Sequence, residues 1–195
     1  MALSDLLAGP NPDMTTISEY LDGLASRTRI AEAQALSGRA QAVLFEAASG
    51  FRPIGLDDLV PAGFAPLAEV PHFGRNSLPA FRLFAKVFCR PDDDTSPELW
   101  GYNRNPRAFI ETVVGPGYYV AYPYTTPGEV LVDYLRTPPR KPAPWPPILA
   151  NSERLSRFVY HGTQDVLRGV SRHVSIGRAS RHGRVMDNWF VLCRA

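Results

Sequence analysis

Phe109 to Arg136 reads FIETVVGPGYYVAYPYTTPGEVLVDYLR, the densest apolar, β-branched and aromatic run in the chain. Residues of these types fit a pleated, half-buried surface. Tyr118, Val120, Tyr122 and Tyr124 fall on one face of an extended chain, and Tyr119 and Ala121 on the other. Val130, Val132 and Tyr134 alternate with Leu131, Asp133 and Leu135 in the same way. Gly115-Pro116-Gly117 and Pro127-Gly128 interrupt the run. Proline presets φ for a turn and glycine supplies φ > 0. The run therefore predicts an antiparallel meander with strands at about 109–114, 118–124 and 129–135. Gly115-Pro116-Gly117 is a turn and not a phosphate loop, because neither a helix nor a Lys-Ser/Thr pair follows it.

Outward from this run, Phe81 to Cys89 (FRLFAKVFC) and Leu99 to Tyr102 read as strands, although Arg82 and Lys86 share a face with Phe84 and Phe88. Val174 to Arg178 and Val185 to Cys193 form a closing pair around the turn Arg181-His182-Gly183-Arg184. Before the sheet, Thr16-Ile17-Ser18-Glu19 matches a capping box. Residues 29–48 are rich in helix formers, and Gly50 suits a helix end. Residues 51–80 carry five prolines and read as irregular. Thr137 to Pro147 holds six prolines in eleven residues and reads as an extended strap. From Ser152 to about Val170, an apolar stripe of Leu155, Phe158, Val159, Gly162, Val166 and Val170 predicts a helix.

The fold class expected is α+β. An N-terminal helical hairpin (15–50, after a flexible lead-in at 1–14) packs on a largely antiparallel, curved sheet of about six or seven strands. One C-terminal helix is inserted before the last hairpin, so that 81–195 form sheet plus helix within a single domain spanning 1–195.

Composition narrows function by exclusion. No apolar run approaches the roughly 20 residues of a membrane span, and the N-terminus lacks a basic n-region. A cytoplasmic location and two free thiols, Cys89 and Cys193, are the expectation. Net charge is +2, but residues 1–99 sum to −5 and residues 136–195 to +8, with Arg at ten of the eleven basic positions of that last stretch. Lys is scarce and the Arg residues are scattered, which argues against a nucleic-acid platform. The Asp92-Asp93-Asp94 run lacks spaced oxygen ligands and reads as a solvated turn. The histidine spacing matches no zinc pattern, so neither a metal nor a cofactor is expected. His161 and Asp165, four apart on the predicted helix, can pair there as on a solvated surface.

The tyrosines are the most distinctive feature. Tyr118, Tyr122 and Tyr134 suit an amphipathic pocket between sheet and helix. Arg178, Arg181 and Arg184 stand ready for an anionic head group, since guanidinium binds carboxylate or phosphate bidentately. The expected function is binding of a small apolar or amphipathic, possibly anionic, molecule. The alternatives are an enzyme using the same pocket and a protein-interaction or homo-oligomeric module built on the strap or the Ala-rich helices.

Overall fold

The computed structural model describes residues 2–79, 82–93, 97–105, 115–149 and 161–195. Eight antiparallel strands follow one another around a closed barrel. They are β1 (Val70–Asn76), β2 (Leu83–Cys89), β3 (Leu99–Arg104), β4 (Tyr118–Pro123), β5 (Val130–Asp133), β6 (Thr163–Gly169), β7 (Val174–Arg181) and β8 (Arg184–Arg194). β1 closes the ring on β8, with Phe73 opposite Cys193 and Arg75 opposite Val191. The helices are α1 (Leu3–Leu6), α2 (Met14–Gly23), α3 (Ser26–Ala35), α4 (Gly38–Ala47) and α5 (Leu56–Leu59).

The open curved sheet of six or seven strands with an inserted C-terminal helix is thereby corrected. Two segments account for the difference. Val70–Asn76 is a strand, although Pro71 and the prolines around it argued for irregular chain; Pro71 sits second in the strand, where a lost N–H is tolerated. Thr163–Gly169 is a strand with strict in–out alternation of burial, not the end of a helix. The helical spacing of Gly162, Val166 and Val170 coincided with a strand whose inward positions are Thr163, Asp165 and Leu167. The expected strand at about 109–114 and the first half of the expected helix, 152–160, lie outside the described residues.

The expectations for the two turns of the central run and for the last hairpin hold, whereas the stretch 15–50 folds as three helices, α2 to α4, and the lead-in carries α1 with Leu3 buried. β4 and β5 follow the central run, and Gly117 and Gly128 adopt positive φ of 56° and 81° at its turns. The last hairpin turns on His182 and Gly183, at φ of 49° and 74°, the left-handed pair that a tight hairpin needs. Helix α2 starts at Met14, earlier than the Thr16 box predicts, because Asp13 accepts from the Thr15 and Thr16 amides.

Period-2 alternation sorts the strand side chains into three clusters. Helices α1–α4 cover β7, β8 and β1 from outside: Leu3, Ile17, Leu21, Leu36 and Leu44 pack with Val174, Ile176, Val191 and Cys193. On another outer face Trp100, Tyr102 and Tyr118 pack beneath Trp145 of the proline strap. Arg140 of the strap bonds Asp92 and Asp93, and Arg136, just before the strap, bonds Glu98. The third cluster fills the lumen: Val70, Phe88, Leu99, Tyr119, Val130, Val132, Leu167, Phe190 and Leu192, with Leu59 and Val60 at one end.

An eight-stranded barrel encloses about the space its side chains can fill. Inward glycines make room for rings. Gly101 faces Tyr119 across β3–β4, and Gly177 faces Phe190 across β7–β8. A Cβ on Gly101 would stand 2.3 Å from the Tyr119 ring. Gly101→Ala is therefore expected to destabilise by about 1–3 kcal/mol in urea unfolding. Gly63→Ala, where a Cβ meets nothing within 4 Å, should change little.

Candidate functional site in the barrel lumen

Most of the lumen is apolar, but four strands bring polar groups together in it. β2 contributes Lys86, β3 Asn103 and β6 Asp165, and Tyr134 follows β5 directly. Their alternation places them inside with Phe84, Phe88 and Tyr119. Lys86 reaches across the lumen, and its Nζ donates to Asp165 Oδ2 at 3.0 Å. It also donates to Asn103 Oδ1 at 3.4 Å and to the Tyr134 hydroxyl. All three ammonium protons thus have acceptors. Asn103 Nδ2 donates to the same Tyr134 hydroxyl at 2.8 Å and to the Gly117 carbonyl at 3.3 Å.

Aromatic rings surround the cation. Nζ lies 5.0 Å from the Tyr119 ring centre, 4.8 Å from Tyr134, 4.9 Å from Phe190 and 6.0 Å from Phe84. Ring quadrupoles attract a desolvated cation. The Lys86 side chain is 2% exposed and that of Asp165 6%. Burial pulls the Lys86 ammonium below its ordinary value and pushes the Asp165 carboxyl above its own, while each partner opposes the shift of the other. Burial thus favours the neutral forms and the ion pair favours the charged ones. Asp165 Oδ1 takes no hydrogen bond from the described residues, unlike Oδ2.

The cluster sits toward one end of the barrel. Deeper in, α5 closes the lumen with Leu59 and Val60. Toward the other end inward residues lose burial: Phe84 and Ala179 are only partly covered. We call this end the mouth. The β7–β8 hairpin stands at its rim.

The residues singled out in the sequence fall in three places. Tyr134 is in the luminal cluster. Tyr118 points outward against Tyr102 and Trp145, and its hydroxyl donates to the Pro146 carbonyl. Tyr122 also lies outside, donating to Asp133 Oδ2 at 2.8 Å beneath Arg136. Arg178 bonds Asp187 at 3.0 Å and Glu46 at 3.4 Å and stacks on Trp189. Arg181 donates to the His161 carbonyl at 3.1 Å, and Arg184 is exposed beside the hairpin turn. The structure thus separates Tyr134 from Tyr118 and Tyr122, and keeps the three arginines at or outside the rim. His161 and Asp165 do not share a helix: His161 is in a turn, and its ring lies 6.0 Å from that of His182.

Sequence reasoning missed Lys86, Asn103 and Tyr119, and placed Asp165 on a solvated helix surface beside His161 instead of in the lumen. One signal was present: Lys86 shares a strand face with Phe84 and Phe88, and a lysine among inward aromatics needs a buried partner. Cys89 and Cys193 lie in different outer clusters as free thiols. Burial pushes them up to about 12 and about 11, so neither is an activated nucleophile.

His72 faces inward one strand from Lys86, in register with it. Its Nε2 donates to the Leu59 carbonyl at 2.8 Å, and burial, the largest cause, together with Arg194 holds it down to about 4. The unfolded chain therefore binds a proton near pH 6.5 that the folded chain refuses until about pH 4. Stability from this group is complete above pH 6.5 and falls between there and pH 4, by at most about 3 kcal/mol. The raised Asp165 carboxyl acts with the opposite sign. The difference between wild type and His72→Gln, followed by urea unfolding against pH, isolates the histidine and should shrink as pH falls across that window.

No family model, curated protein or solved structure matches this chain.

Proposed function

We propose that the barrel binds a small amphipathic molecule through its mouth, with the polar end of the molecule at the Asp165–Lys86–Tyr134–Asn103 cluster. The observation that carries this reading is the buried ion pair itself. Taking two charges out of water costs several kcal/mol per ion, and well-packed apolar residues in their place are often neutral or stabilising. A barrel built only to stand has no need of such a pair in its lumen. Apolar walls with a few convergent polar groups are what small-molecule sites offer. Arg181, Arg184 and His182 at the rim favour a molecule that carries negative charge. Asp165 Oδ1, which takes no hydrogen bond from the described residues, offers an acceptor to a hydroxyl or N–H of the same molecule.

A second reading follows from that oxygen. A carboxyl with a raised pKa, backed by an ammonium and a phenol, can take or give a proton, so the same site supports acid–base catalysis on its ligand.

The test uses 8-anilinonaphthalene-1-sulfonate, an anionic amphipathic probe whose fluorescence rises in apolar surroundings. The wild type should bind it saturably. Lys86→Met/Asp165→Leu, which removes both charges together, should bind at least tenfold more weakly while remaining folded. Equal binding by the two proteins would contradict the reading. Native mass spectrometry of the purified chain adds a direct search for a retained ligand.

A further inference from the structure

A second set of polar groups lies at the closed end, away from the luminal cluster. A small pocket of about 10 Å³, partly open to solvent on the side of Arg172, is lined by Ile54, Asp58, Leu59, His72 and residues 171–175. Three of these residues carry a buried polar atom with no partner among the described residues: His72 Nδ1, His173 Nδ1 and Ser175 Oγ. His72 is 2% exposed and Ser175 4%. A buried polar atom without a hydrogen bond costs about 1–3 kcal/mol, and three around one void share a single remedy.

We infer that the floor of the barrel binds one water molecule between His72, Ser175 and His173.

Size selects the occupant. Roughly 10–15 Å³ is the space one water needs, and no organic ligand fits it. Chemistry selects it again. His72 Nε2 donates to the Leu59 carbonyl, so in the neutral ring Nδ1 is an acceptor and needs a donor. Water supplies two donors and two acceptor sites. It can donate to His72 Nδ1 and to His173 Nδ1 and accept from the Ser175 hydroxyl, the three bonds typical of a buried water. A metal cation is disfavoured, because Arg194 acts on both histidines and Arg29 and Arg172 on His173. Asp58, the acid lining the void, is already engaged by the Gly55 amide and Arg52. A small anion is disfavoured because the orphaned ring nitrogen of His72 is an acceptor.

The water joins three parts of the chain. His72 belongs to β1, Ser175 to β7 and His173 to the β6–β7 turn, while the other face of His72 holds α5 through Leu59. It completes the floor on which α5 rests. This inference does not depend on the ligand proposed for the mouth.

The experiment is a crystal structure of the wild type at a resolution that shows ordered water, with Ser175→Val alongside. A full-occupancy water within about 2.6–3.2 Å of His72 Nδ1 and Ser175 Oγ is expected, and its loss in Ser175→Val. An unfilled void in the wild type would overturn the inference, as would His72 Nδ1 bonded directly to a protein group. Imidazole ¹⁵N shifts in solution provide the second readout, which needs no variant. They should show the Nε2–H tautomer of His72 with a hydrogen-bonded Nδ1; the Nδ1–H tautomer would equally overturn it.

Discussion

Lys86→Ala is expected to destabilise the protein by about 3–5 kcal/mol, the range for breaking a buried ion pair from one side. The loss arises less from the missing attraction than from what is left behind. Asp165 would stay in the lumen without its cation, and Asn103 and Tyr134 would lose a shared donor. Lys86→Met/Asp165→Leu should regain most of the loss, since it removes both charges and refills the space. Guanidinium unfolding of the wild type, the single variant and the double variant measures this. A single variant within about 1 kcal/mol of wild type would mean that the pair is solvated, and the lumen would lose its special character.

Tyr118→Ala should also cost about 3–5 kcal/mol, as for other large buried aromatics, but for an outer-face reason. Tyr118 is fully buried, its ring centre 5.7 Å from that of Tyr102 and 6.1 Å from that of Trp145. Its hydroxyl holds the Pro146 carbonyl. Removing it undercuts the contact that pins the proline strap on β3 and β4. Thermal and urea unfolding check the size, with exposed Leu135→Ala as the control that should change little. Tyr118→Ala should leave the affinity for the anionic probe unchanged at temperatures where it is folded. Stability and ligand binding would then part, as outer face and lumen do.

The sequence displayed its strands where apolar alternation was strong and its turns where Gly and Pro coincided. β4, β5, β7 and β8 were readable for that reason. β1 was not, because Pro71, His72, Gly74 and Arg75 look like loop residues until β2 and β8 flank them. β6 was not, because Asp165 is inward and Val166 outward, the reverse of what hydrophobicity suggests. These two misreadings decided the fold: without β1 and β6 the sheet stays open, and closure is a long-range fact that no local pattern carries. The site was hidden by the same inversion. A buried Asp and a buried Lys read as surface residues when taken singly, since 79 residues separate the two partners. Tyr134 was singled out as an aromatic with a polar tip, although its partners in space are Lys86 and Asn103 and not the other two tyrosines.

The proposed use of the lumen is tested most directly by amide chemical-shift mapping during titration with 8-anilinonaphthalene-1-sulfonate. Saturable shifts are expected, concentrated at Lys86, Asn103, Asp165 and Ala179 on the inner faces of β2, β3, β6 and β7 and at Tyr134 just past β5. Shifts confined to the α1–α4 layer, or to the outer cluster around Trp145, would contradict it.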